Sequence, residues 1–66
     1  MFTLRALRVN KGYTQPEAAE LIGVGEKAYC SWEQGKTFPN AIQIKKIEEV
    51  FDTTYDQINF LPGNIG

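Results

Sequence analysis

Residues 14–39 read TQPEAAELIGVGEKAYCSWEQGKTFP, and Gly23-Val24-Gly25 splits that stretch into two short helical patterns. A turn this tight leaves the two helices no choice but to cross steeply and pack on each other. The first opens at Thr14, with Glu17 placed to return a hydrogen bond in a Thr-x-x-Glu capping box. Pro16 falls in the first turn, where its missing N–H costs nothing. Ala18, Leu21 and Ile22 repeat at helical spacing, and Gly23 ends the segment. The second pattern runs from about Glu26 to Gln34 and stops at Gly35. At roughly 100° per residue, Tyr29 and Trp32 share one side. Lys27, Ser31 and Gln34 take the opposite side, flanked by Cys30.

The flanks extend the same reading. Thr3 caps a first helix from about Leu4 to Asn10, with Leu4 and Leu7 inward and Lys11-Gly12 as its stop. After the loop Lys36-Thr37-Phe38-Pro39, Asn40 caps a fourth helix that reaches about Phe51. Its apolar set is Ile44, Ile47, Val50 and Phe51, with Ile42 nearby, while Lys45, Lys46, Glu48 and Glu49 cover the other side. Asp52-Thr53-Thr54 restarts the chain as a short fifth helix, Tyr55 to about Asn59. No strand is expected. The fold class is therefore all-α, a compact bundle of four to five short helices. It forms one domain over residues 1–60, with a short tail at 61–66.

Composition removes most chemistry. A 66-residue chain buries only about 60% of its unfolded surface, so every apolar contact counts. One cysteine and no histidine exclude a disulfide framework, the usual zinc sites and Ser-His-Asp or Cys-His catalysis. Cys30 is read as a small filler. The carboxylates are scattered over helix surfaces and no glycine loop cradles phosphate, so no enzyme, metal, cofactor or small-molecule ligand is expected. The N-terminus lacks the apolar stretch of a signal peptide, and no run is long enough to cross a bilayer. A cytoplasmic location is the expectation.

The outward arc of the third helix is the candidate reading head. Its side chains are short or flexible, as a helix entering the major groove requires. Lys27 can donate to guanine O6 and N7, and Ser31 can bond to several base edges. Glu26, in the first turn, is repelled by phosphate unless it accepts from cytosine N4; it also complements the helix dipole. Plain solvent exposure is the competing account of this face. The net charge of −1 is awkward for a polyanionic partner, but the acidic excess lies in residues 37–66 and leaves the first half slightly basic.

Tyr13-Thr14-Gln15, Ala18-Ala19, Leu21, Gly23-Val24, Trp32-Glu33-Gln34-Gly35-Lys36 and Pro39 resemble, station by station, the Xre-type helix-turn-helix family. That family, lambda-repressor-like in fold, supplies the DNA-binding domain of many phage repressors and Cro-like proteins. The similarity spans roughly Leu4 to Phe60. Gly25 stands where Ser or Thr often caps the third helix, Glu26 where many relatives are neutral or basic, and Ser31 where a long polar residue is common. The resemblance implies base contacts from Glu26, Lys27, Ala28 and Ser31, with Ala28 against a thymine methyl. It implies phosphate contacts from Gln15, Lys36, Thr37 and Asn40, the last through the loop's side chains and backbone N–H groups. It also implies a supporting pair, Arg8 with Glu33, between the first and third helices. The partners implied are double-stranded DNA, with a near-palindromic operator, and a second copy of the chain.

Tyr55, Ile58, Phe60, Leu61 and Ile65 are many apolar groups for so short a C-terminal stretch. Ile58 can finish the core. Tyr55, Phe60 and Leu61 are candidate dimer contacts, and a tail folded back on the first helix is the alternative. The leading functional expectation is a sequence-specific transcriptional regulator, Cro-like or a small repressor of a phage or mobile element. The second is a protein-binding module of antirepressor or antitoxin-like kind.

Overall fold

The computed structural model describes residues 1–60. Chain order is β1 (Phe2–Thr3), α1 (Leu4–Lys11), α2 (Gln15–Ile22), α3 (Glu26–Gln34), α4 (Ala41–Phe51), a 3-10 turn (Tyr55–Gln57) and β2 (Ile58–Asn59). Among the described residues no helix is long and apolar enough to cross a membrane.

Local capping chemistry sets the helix boundaries. Thr14 Oγ1 accepts from Glu17 N at 3.3 Å, and Glu17 Oε1 accepts from Thr14 N at 2.8 Å. A second box, unanticipated, opens α4: Asn40 Oδ1 accepts from Gln43 N and Gln43 Oε1 from Asn40 N, both at 2.8 Å. Gly23 closes α2 at φ 91°, a left-handed conformation in which a side chain would be strained although the space beyond is open. Gly25 caps α3 with no side-chain hydrogen bond, which leaves that helix start weaker than a serine would by a few tenths of a kcal/mol.

The core gathers one face from each helix, with Tyr29 and Ile47 at 0% exposure and Leu4 at 1%. α2 lies between α3 and α4. Ala18 and Ala19 face inward there, because only small side chains let one helix approach two neighbours closely. Leu21, expected inward, is therefore turned out and is 46% exposed. In α4, Ile47 and Phe51 are buried, Ile44 and Val50 pack partly against the core, and Ile42 is 82% exposed.

Two expectations about the ends are corrected. The chain does contain strand pairing: β1 and β2 run parallel, with Phe2 opposite Ile58 and Thr3 opposite Asn59. A helix N-cap already has extended dihedrals, here φ −76° and ψ 161° at Thr3, so the residues entering α1 can pair sideways without distortion. The expected fifth helix shrinks to the single turn Tyr55–Gln57, held to α4 by Tyr55 N donating to Glu48 Oε2 at 2.7 Å. Ile58 is then drawn into extended backbone to meet Phe2.

Phe60 is drawn into the core. Placed in the sequence at a dimer contact, it is 5% exposed within its own chain, with ring centroids 5.0 Å from Phe38 and 5.6 Å from Tyr55. A chain this short has few large apolar groups to close its core, and Phe60 fills that need. Tyr55 stays 48% exposed. Leu61, Ile65 and the tail at 61–66 lie outside the described residues.

Candidate nucleic-acid interface

The orientation of α3 decides what this domain can present. Tyr29 and Trp32 are buried, their rings meeting edge to face with centroids 6.1 Å apart. Anchoring that side fixes the rotation of the helix. Glu26, Lys27, Ala28 and Gln34 are left exposed, with Ser31 half-buried on the same arc and Cys30 half-buried at its flank. Glu26, Lys27, Ala28 and Ser31 thus share one open surface made of short or flexible side chains, without a bulky group to block a groove.

Glu33 joins three helices beneath that surface. Arg8 Nε, from α1, donates to Glu33 Oε2 at 2.7 Å, and Arg8 Nη1 donates to the Tyr13 carbonyl at 3.0 Å. Gln15 Nε2, from the first turn of α2, donates to Glu33 Oε1 at 3.1 Å. The Arg8 and Glu33 side chains are only 13% and 5% exposed, so bulk solvent screens this pair far less than a surface ion pair. Burial pushes the Glu33 carboxyl up. Hydrogen bonds from Arg8 and Gln15, with the Arg8 charge and the polar Tyr29 hydroxyl close by, outweigh burial and hold the carboxyl below the ordinary range. At neutral pH Glu33 is therefore an anion clamped between cation and amide.

The Tyr29 hydroxyl is buried beside this pair without completing a hydrogen bond. Burial first, then the Glu33 carboxylate, pushes its ionisation up, so it remains a neutral phenol. An unmade hydrogen bond at a buried hydroxyl costs about 1–3 kcal/mol of desolvation. Tyr29→Phe should therefore hold stability level or raise it by about 1 kcal/mol in urea denaturation; a loss beyond that would show that the hydroxyl is bonded in solution.

The expected phosphate contacts are placed unevenly. Lys36, Thr37 and Asn40 are exposed in the α3–α4 loop. The Asn40 carboxamide oxygen and backbone N–H are both engaged in the α4 capping box, which leaves only its side-chain amide donor for a phosphate. Gln15 is half-buried, and one of its two amide hydrogens is spent on Glu33. Sequence reasoning misses the Gln15–Glu33 bond and the Arg8–Tyr13 carbonyl bond, for which no local pattern exists. It misses the Asn40-x-x-Gln43 box too, although that spacing is a readable signal.

Comparison with known proteins identifies the family. The family described as helix-turn-helix matches residues 4–58. The chain is 38% identical over 55 residues to the HTH-type transcriptional activator BcrR of Enterococcus faecalis, covering 83% of this chain and 27% of that protein. It is 29% identical over 55 residues to the HTH-type transcriptional regulator AnsR of Bacillus subtilis (strain 168), covering 83% of this chain and 47% of that protein. The chain thus spans less than half the length of either relative. No solved structure matches it.

Proposed function

Because the chain belongs to the Xre-type helix-turn-helix family, we propose that it is a sequence-specific DNA-binding regulator of transcription that lays α3 in the major groove. The observation that carries this reading is the exposed arc of Glu26, Lys27, Ala28 and Ser31 on a helix whose opposite side is anchored by Tyr29 and Trp32. Its similarity to one helix-turn-helix transcriptional activator and one helix-turn-helix transcriptional regulator supports it.

In this reading Lys27 donates to guanine, Ala28 meets a thymine methyl, Ser31 bonds to an adjacent base edge and Glu26 accepts from cytosine N4. Lys36, Thr37, Gln15 through its second amide hydrogen, and the Asn40 amide grip phosphates. Glu33 acts beneath them as a positioning residue. Two copies, meeting through Tyr55 and Leu61, place their α3 helices about 34 Å apart on a near-palindromic operator. A Cro-like repressor of a phage or mobile element is the form of this reading that the resemblance supports.

Selection of bound duplexes from a random pool tests the proposal. The expected result is a two-fold motif with half-sites one helical turn apart. Lys27→Ala should relax preference at one position per half-site by about 1–3 kcal/mol. Lys36→Ala should weaken all sequences alike and reduce the salt slope by about 0.9 for each phosphate left unneutralised. Two variants that bind the selected duplex like the parent would overturn the site assignment.

A further inference from the structure

The outer side of α4 carries a surface that the DNA reading leaves unused. Ile42, Lys45, Lys46 and Glu49 recur at helical spacing and form one stripe. Between this stripe and the end of α2 runs a groove of about 540 Å³, with Ile22 and Val24 in its floor. Ile42 on its wall is 82% exposed, because α4 supplies its own core through Ile47 and Phe51. Neither Lys45 nor Lys46 forms an ion pair among the described residues. The rim holds two cations against the single carboxylate of Glu49.

Two occupants fit poorly. A DNA strand would satisfy the lysines and leave Ile42 and Val24 facing a polar backbone. A second copy placed by a two-fold axis through the middle of the stripe would set Lys45 and Lys46 against themselves, since an isologous contact repeats the same patch on both sides. An apolar floor with a cationic rim instead fits a helix that is apolar on one face and acidic beside it.

We propose that this groove docks an acidic amphipathic helix of a partner protein. The partner's apolar side chains rest on Ile22, Val24 and Ile42, and its carboxylates meet Lys45 and Lys46. This surface is separate from the exposed arc of α3 and stands whether or not that arc reads DNA.

The test is an amide-shift titration of the ¹⁵N-labelled protein with a synthetic helical peptide bearing leucines on one face and glutamates on the other. Its lysine counterpart, polyglutamate and a random-sequence DNA duplex are the comparison probes. Saturable shifts centred on Val24 and residues 41–49, with the acidic peptide alone, are the expected result. Ile42→Ser and the double variant Lys45→Glu/Lys46→Glu should each weaken that peptide roughly tenfold. Helical circular dichroism should be unchanged, since all three side chains are exposed. Equal binding of the lysine peptide or of polyglutamate would overturn the proposal, as would shifts outside the groove or no binding. Duplex DNA shifting the same amides would reassign the lysines to a phosphate grip and overturn it equally.

Discussion

Arg8→Ala is expected to cost about 3 kcal/mol of folding stability. The variant leaves the Glu33 carboxylate, 5% exposed, without its cation, and strips the Tyr13 carbonyl of its donor. Breaking a fully buried pair costs about 3–5 kcal/mol, and the partial exposure of Arg8 favours the lower end. A chain of this length holds only about 3–10 kcal/mol in all, so the loss should appear as a large fall in the urea midpoint. The pH dependence carries a sign. The folded-state pKa of Glu33 lies below its ordinary value of 4.5, so on acidification the unfolded chain takes up that proton first. The contribution is complete above 4.5 and is lost as pH falls through the lower folded-state value. Urea midpoints measured from neutral pH into acid should show this limb in the parent and a smaller one in Arg8→Ala. Replacing both partners with apolar residues, Arg8→Met with Glu33→Leu, should recover part of the loss. Indifference of the urea midpoint to Arg8→Ala would mean that the pair adds nothing.

Phe60→Ala is expected to cost a similar amount, about 3 kcal/mol, by opening the space between Phe38 and Tyr55. Truncating a buried phenylalanine costs about 3–5 kcal/mol, and its half-exposed neighbours Phe38 and Tyr55 can relax, which favours the lower value. The informative feature is independence of protein concentration. A ring that closes its own chain's core destabilises to the same extent at every concentration, whereas a ring in a subunit contact makes the melting temperature concentration-dependent. Thermal melts over a wide concentration range separate the two. A destabilisation that vanished at low concentration and grew as concentration rose would return Phe60 to a subunit interface.

Phe60 also shows where reading the chain by itself runs short. Its lack of an obvious home in the sequence leaves both a dimer contact and a folded-back tail open. What assigns it is the path of the chain after Tyr55, which turns once and pairs Ile58–Asn59 with Phe2–Thr3. That pairing joins residues more than fifty positions apart, and no periodicity in either segment announces it. Leu21 is a similar case. The apolar spacing of α2 admits either Leu21 or Ala19 on the inner face, and the closeness of α3 and α4 selects the alanine. Gln15 is the third. As a first-turn residue its amide suits a phosphate, and only the arrival of Glu33 from α3 shows that half of it is engaged.

What the sequence by itself determined is the set of helices around the Gly23–Gly25 turn and the inward side of α3. Those follow from interactions within four residues: Thr14 with Glu17, a left-handed glycine at each stop, and the shared phase of Tyr29 and Trp32. What only the tertiary structure decided is how the faces are used: the Glu33 junction, the enclosure of Phe60 and the open groove beside Ile42. The reason is physical. Capping and helical phase are local and repeat wherever their residues occur, whereas burial depends on which segments meet, and that is settled by the volume each helix leaves for its neighbours.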